Sequence, residues 1–333
     1  MDSKHVLITG AAGYIGSMLT GVLLDRGDRV TAVDDLEFGG ESLLAYWRRP
    51  GFCFIKGNIT DPRVTNPQLF AGVDAVVHLA AIVGFPACNA AGREQSWSVN
   101  VDGTRRVFEA ADKAGVERFI FASTYSNYGV AEDGKPVTEE SPLYPQSLYA
   151  ETKIASEEYL TLRGQDSRCA PLIFRFATLF GVSPRTRFDL IINQFVLEAL
   201  TKKELLVYQR GYSRSFVHVS DVASGVCLGL DAKLNRVRGA VYNLGGDSGN
   251  YTKDEIIALL QKHVDVKVTY KDISFEGDMR NVTVSFAKIR EALGFEPMVT
   301  VEEGVVEVRD VIQQGVIKDS GTTRYLNASP ITH

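Results

Sequence analysis

Cysteine is scarce in this chain. Cys53, Cys88, Cys169 and Cys227 are the four in 333 residues, scattered and without a C-x-x-C pair. This excludes a disulfide framework and offers no metal-ligand spacing, so reduced, buried thiols in a cytoplasmic protein are expected. Positive charge is short as well: 36 Lys and Arg against 41 Asp and Glu leave a net charge of −5. Neither nucleic acid nor a membrane surface is an expected partner, and any basic pocket for an anionic substrate must be local. Long apolar runs are missing. The stretch 75–85 is apolar, but it contains His78 and is too short to cross a bilayer. Strand character begins at about Lys4, which leaves no room for a signal peptide. No repeat or low-complexity tract occurs. What the chain does have is 45% hydrophobic residues, over a length that suits one large or two modest domains.

The first 34 residues organise the rest. Residues 4–9 are an apolar run of strand character, and Gly10-Ala11-Ala12-Gly13-Tyr14-Ile15-Gly16 follows at once. Residues 17–26 read as a helix with Met18, Leu19, Val22 and Leu23 on one face. Gly27-Asp28 breaks it, and a second strand over 29–33 ends at Asp34. Strand, glycine turn, helix, strand and acid in this order form a dinucleotide site. Glycine allows a positive φ and lets the backbone approach a pyrophosphate. The helix N-terminus turns N–H groups and a positive dipole end toward the phosphates. Asp34 can accept hydrogen bonds from both ribose hydroxyls and repels a 2′-phosphate, and no arginine stands beside it in the chain. NAD is therefore expected over NADP. The glycine spacing is G-x-x-G-x-x-G, not the commoner G-x-G-x-x-G.

Further strands are expected at 52–56, 75–81, 117–122 and 171–176, with helices over 93–114 and 147–163. Six strands with alternating helices predict an α/β fold, a Rossmann-type doubly wound parallel sheet spanning 1–180. A bound dinucleotide lies at the C-terminal ends of such strands. Asn58 and Ile59 follow the third strand, where the Asn58 side-chain carbonyl suits an adenine amino group. Leu79, Ala80 and Ala81 end the fourth strand and are small enough to let a cofactor rest on backbone. His78 reads as an interior histidine. Asn100 lies inside a helix, where asparagine has poor propensity, and reads as a buried polar group. From Gly181 the pattern changes. A loop carrying Arg185 and Arg187 leads to a helix over 188–201, a strand over 205–208, and a strand-into-helix segment over 214–222 that begins with Arg214. Later elements are a strand over 240–244, a helix over 252–264, a strand over 266–270, and helices over 288–293 and 301–314. A smaller mixed α/β substrate domain is expected from 181–215 and 245–333, with 216–244 returning to the first sheet.

Tyr149 and Lys153 are four apart on a helix, hence on one face. Of 13 tyrosines only Tyr149 has a lysine at that spacing. An ammonium beside a phenol favours the phenolate. Such a tyrosine can exchange a proton with a hydroxyl while hydride moves to or from the cofactor. Lys153 can also hold the nicotinamide ribose. Thr124, at the end of the fifth strand, can bond the reacting oxygen.

These segments together resemble the extended short-chain dehydrogenase/reductase family, specifically its nucleotide-sugar epimerases and dehydratases. The resemblance runs over nearly the whole chain. It is carried by the stretch from Gly10 to Gly16, Asp34, His78-Leu79-Ala80-Ala81, Asn100-Val101-Asp102-Gly103-Thr104, Ser123-Thr124, Tyr128-Gly129, Tyr149 to Lys153, and Arg214 to Asp221. It implies Thr124, Tyr149 and Lys153 as catalytic trio, tightly held NAD, and a nucleoside diphosphate-sugar substrate. It also implies a homodimer packed through the helices that carry Asn100 and Tyr149. Related 4,6-dehydratases look like Thr-Asp-Glu after the catalytic strand, and UDP-glucuronate decarboxylases like Thr-Ser-Glu. Here Thr124 is followed by Tyr125 and Ser126, so the acids that elimination requires are missing. A hydroxyl residue at Ser126 resembles the UDP-galactose 4-epimerases, although Tyr125 is bulkier than theirs. Asn58 replaces the family's usual aspartate. Arg214 matches an arginine that contacts nucleotide phosphates in the epimerases. Asp278-Met279-Arg280 resembles an Asp-x-Arg whose acid faces ribose and whose guanidinium faces phosphate. Arg185 and Arg187 are further candidates for the diphosphate. The expected activity is an NAD-dependent 4-epimerase-like isomerisation through a transient 4-keto sugar, with a 4-keto-sugar reductase or another nucleotide-sugar epimerase/dehydratase of the same family as the alternative and a non-catalytic dinucleotide sensor as a third.

Overall fold

The computed structural model describes residues 3–130, 135–208, 211–271 and 281–328. Its first part runs β1 (His5–Thr9), α1 (Tyr14–Asp25), β2 (Arg29–Asp34), β3 (Phe52–Lys56), β4 (Ala75–His78), α2 (Phe85–Trp97), α3 (Thr104–Ala114), β5 (Arg118–Thr124), α4 (Leu148–Arg163) and β6 (Ala170–Phe176). Then follow β7 (Thr178–Phe180), α5 (Ile191–Lys202), β8 (Glu204–Tyr208), β9 (Ser213–His218), α6 (Val219–Asp231), α7 (Leu234–Val237) and β10 (Ala240–Leu244). The last elements are β11 (Asn250–Thr252), α8 (Lys253–Gln261), β12 (Lys267–Lys271), α9 (Ala287–Leu293) and α10 (Val301–Gln313).

Seven strands pair in parallel in the order β10-β6-β5-β4-β1-β2-β3. The chain builds outward from β1 to β3, then crosses β1 to start again at β4. The crevice between β1 and β4 is thus the topological switch point, where α/β sheets bind their ligands. Helices cover both faces, which is why β4, β5 and β6 are buried at every residue and read as near-continuous apolar runs. One apolar cluster fills each face of the sheet, and a third, around Phe180, Phe195, Leu205 and Ile257, holds the second part together.

Two expectations are corrected. The helix expected over 93–114 is not continuous. It starts earlier, as α2 at Phe85, kinks at Gly92 with φ 79°, and passes through a π turn at Ser98–Gly103 before α3. The π turn leaves the Asn100 carbonyl to side chains: it accepts from Thr104 Oγ1 at 2.6 Å and Ser156 Oγ at 3.0 Å. The segment 216–244 returns to the large sheet through α6, whose Val222, Ala223 and Val226 join the cluster on one face, and through β10 at the edge, but its first strand does not pair there. β10 takes the edge beside β6, so β9 pairs instead with β7 and β11 in a separate three-stranded sheet.

Beneath the end of β5 lies a buried ion pair. Arg175, on β6, bonds both Glu157 oxygens, from Nε at 3.1 Å each and from Nη2 at 2.7 Å. Ser123 and Asn127 also donate to Glu157 Oε1. Arg175 Nη1 reaches the Tyr128 hydroxyl at 2.9 Å, and that hydroxyl donates to Asn243 Oδ1 at 2.7 Å. Burial pushes the Tyr128 phenol up to about 12, so it stays protonated as that donor. Arg175→Met strands a buried carboxylate and should cost about 3–5 kcal/mol. Urea unfolding measures this; a loss below about 1 kcal/mol, the worth of an exposed pair, contradicts it.

Candidate active site

The glycine turn fits a dinucleotide on geometric grounds. Gly10 has φ 72°, and a Cβ there would stand 2.8 Å from the Ala80 nitrogen. At Gly16 a Cβ would stand 2.1 Å from the Gly10 carbonyl oxygen. Only glycine lets the turn between β1 and α1 close this tightly against the end of β4. Gly13 is the N-cap of α1 and no side chain caps that end, which leaves the N–H groups of its first turn to a ligand. The buried hydroxyl of Tyr14 donates to the Gly181 carbonyl at 2.7 Å, and its carbonyl accepts from Ser183 Oγ at 2.6 Å. Its side chain therefore ties α1 to the Gly181 loop. Ile15 packs on the apolar cluster that contains α1.

Asp34 closes β2. Its oxygens accept the Ala12 N–H at 2.9 Å and the Leu36 N–H at 2.8 Å. Burial raises its carboxyl above the ordinary value, opposed by those two bonds and by the Arg185 guanidinium. The absence of an arginine beside Asp34 therefore holds along the chain but not in space. Asn58 is committed to its own loop: Oδ1 accepts from Thr60 N and Oγ1, both at 2.9 Å, and Nδ2 donates to Asp35 at 2.7 Å. An adenine bond to that oxygen would have to displace the turn. Ile59 is a core residue, and the side chain of Leu79 packs on the core. The Ala80 N–H donates to Thr9 Oγ1 at 3.3 Å, while Ala81 is half-buried.

His78 is satisfied on both sides, by Thr9 at 2.7 Å and Thr104 at 3.0 Å. Burial lowers it to about 3, so it is neutral and contributes no charge to the site. Asn100 clamps the loop after β4 by bonding the Ile82 N–H at 2.8 Å and carbonyl at 3.0 Å, and reaches Thr152 on α4 at 3.0 Å. That bond sets α4, and with it Tyr149 and Lys153, against the crevice.

Lys153 is buried. It donates to the Ala122 carbonyl at 2.8 Å, and its ammonium lies 5.8 Å from the Tyr149 ring centre. Burial pulls it down to about 8, against the opposite pull of Cys88 and Glu157. Tyr149, in the first turn of α4, is half-buried. Thr124 accepts the Ser126 N–H at 3.1 Å and donates to Ser126 Oγ at 2.9 Å. Tyr125 turns inward and shares a 2.8 Å bond with Thr178. Arg187 is buried with its Nε and Nη2 on Asp189, at 2.9 and 2.7 Å. The Arg185 guanidinium lies over the Phe38 ring, 4.3 Å from its centre. Arg214 is half-buried on β9. Asp278 and Arg280 lie outside the described residues. The pair Glu157 and Arg175 went unremarked in the sequence, yet an arginine inside the apolar strand of β6 and a glutamate four after Lys153 are visible signals of it.

A family model described as the NAD dependent epimerase/dehydratase family matches residues 6–245, and the chain belongs to that family. It is 29% identical over 318 residues to a UDP-glucuronate 4-epimerase of Thermodesulfobacterium geofontis, covering 90% of this chain and 94% of that one. The solved UDP-glucose 4-epimerase of Thermotoga maritima, with UDP-glucose, has TM-score 0.82 and 26% identity, over 94% of this chain and 100% of that one. A dTDP-glucose 4,6-dehydratase of Streptomyces venezuelae, solved with NAD, has TM-score 0.81 and 28% identity, over 93% and 97%. The cofactor is NAD, which the glycine cradle, the uncapped α1 and Asp34 accommodate.

Asp34→Ala removes the repulsion of a 2′-phosphate and leaves Arg185 to attract it. The ratio of NADP to NAD dissociation constants should fall by about tenfold or more, or ~1.4 kcal/mol; an unchanged ratio contradicts the assignment. Lys153 loses its proton above about pH 8. The pH profile of kcat/KM should therefore fall above that value, and Lys153→Met should abolish the limb and weaken NAD binding.

Proposed function

We propose that the chain isomerises a nucleoside diphosphate-sugar at C4 through a transient 4-keto sugar. What supports this is Lys153 lying beside Tyr149 and bonded to Ala122 on β5, the strand that Thr124 ends, with no carboxylate directly following Thr124 in the chain. Tyr149 takes the proton of the sugar 4-hydroxyl and gives it back. Lys153, held by the Ala122 carbonyl, supplies the adjacent positive charge. The Thr124 hydroxyl exchanges its Ser126 partner for the reacting oxygen. Bound NAD would supply the hydride chemistry at C4, held by the glycine turn, the N-terminus of α1 and Asp34. Glu157 is committed to Arg175, and Tyr125 and Ser126 follow Thr124 where the resembling dehydratases carry acids.

Arg214, with Asp278 and Arg280, is the proposed diphosphate and ribose site. Arg187 is neutralised by Asp189 and assists by position only. The reading includes a homodimer through the outer faces of α2, α3 and α4, where Leu162 is 66% exposed. A cytoplasmic location is part of it, supported by four free cysteines. Among the described residues no helix is long and apolar enough to cross a membrane.

The test is turnover of a panel of nucleotide sugars by enzyme carrying only its own NAD. A C4 epimer should form without net NADH. Turnover only when NADH or NADPH is added, with its stoichiometric consumption, would instead mean a 4-keto-sugar reductase, and loss of water or carbon dioxide would overturn the reading. On the substrate so found, Tyr149→Phe should be slower by ~10²–10⁴-fold, with NAD still bound.

A further inference from the structure

We propose that Arg185 and the C-terminal segment 324–328 form part of the cofactor site, as a latch across the adenosine-ribose end of the crevice. The inference needs only that the chain binds NAD, and it stands apart from the sugar reading.

The segment is anchored on the second part of the molecule. The Phe188 N–H donates to the Tyr325 carbonyl at 2.9 Å, and the two rings meet edge-on at 5.8 Å. The Asn327 N–H donates to Asp189 at 3.2 Å. Arg185 holds it from the same loop, through Nη1 to Asn327 Oδ1 at 2.5 Å and Nη2 to the Leu326 carbonyl at 3.3 Å. From there the segment reaches the first part, where Arg324 pairs with Glu41 at 3.6 Å. Between the two sides lies a cavity of about 500 Å³, lined by Glu37, Phe38, Gly39 and Glu41 across from Arg324, Leu326 and Asn327. The loop 37–41 leaves β2 just beyond Asp34, the ribose acceptor. The cavity is therefore at the ribose end. The reacting end lies three strands away at β5, about 14 Å at ~4.8 Å per strand.

Arg185 is built for a ligand that is absent from its present partners. It is 5% exposed, yet its Nε–H has no hydrogen-bond partner. Burial lowers its pKa to about 10, with Arg187 adding to that, while Asp34 and Glu37 draw it upward. A buried, under-bonded guanidinium is costly unless something arrives to complete it. The ribose and phosphate oxygens of a dinucleotide lying over Asp34 are acceptors of the right kind.

The experiment compares NAD dissociation constant and release rate for the full chain, Arg185→Ala, Asn327→Ala, Arg324→Ala and a chain ending at Ser320. Hydrogen exchange of 324–328 is followed with and without NAD. Arg185→Ala and the shortened chain should each release NAD about tenfold faster or more, with little further gain when combined. The two other point variants should do so about threefold. NAD should slow exchange in 324–328 of the full chain. Release within twofold of the full chain in Arg185→Ala and the shortened chain would overturn the proposal. So would a defect confined to the nucleotide-sugar KM, which would place the segment at the substrate. If the shortened chain does not fold, the three point variants and the exchange data decide alone.

Discussion

The ion pair of Arg175 and Glu157 is the constraint on which the catalytic end depends. Two charges are withdrawn from water, which is tolerable only when every bonding site is answered. Here the answers come from the residues that must be placed. Ser123 and Asn127, on either side of Thr124, both donate to Glu157. The carboxylate is on α4 one turn beyond Lys153, and the guanidinium is on β6. One pair thus joins β5, β6, α4 and the loop after Thr124 at a single depth. Each element is held by its own packing, but their relative height is set by this bond network. A proton transfer that tolerates only small errors in position needs that.

A second frame comes from Asn100. A helix interior would normally consume its carbonyl, but the π turn releases it to Ser156 on α4. Its side chain meanwhile holds Ile82 beyond β4 and Thr152 on α4. Lys153 is thus approached from two sides, by a polar clamp at the helix face and an ion pair below it. The neutral His78 leaves Lys153 as the positive charge of that wall.

The fold was legible because its signals are local and repeated: glycine turn, period, strand-end acid. The closeness of Tyr149 and Lys153 was legible because four residues on a helix is a local relation. What escaped was non-local. The Tyr14 hydroxyl, inside the glycine turn, donates to the Gly181 carbonyl 167 residues away, a bond that no local pattern signals. Asn58 was assigned by position at a strand end, while its amide group donates to Asp35, 23 residues back in the chain. Arg185 was read as a substrate arginine because a basic loop in an acidic chain suggests an anion. Its contacts with Phe38, Leu326 and Asn327 depend on how distant segments pack, which no spacing encodes. The end of β9 was expected in the large sheet, but edge occupancy by β10 is decided only in three dimensions.

Burying Lys153 works against the fold, and the direction of the effect shows why it is kept. Its folded pKa of about 8 is below the ordinary 10.5. The unfolded chain therefore holds the proton more tightly, and this group's contribution to stability improves as pH rises from about 8 to 10.5. Below pH 8 the folded enzyme carries a charged, desolvated amine at a cost on the order of 3 kcal/mol. That is a large share of a typical folding free energy. A neutral residue at this position would be more stable and would do nothing for the phenol of Tyr149. The answered network around Glu157, whose charge also draws the lysine proton inward, offsets that cost. Stability and chemistry are therefore opposed at Lys153 and aligned at Glu157, four residues apart on the same face of one helix.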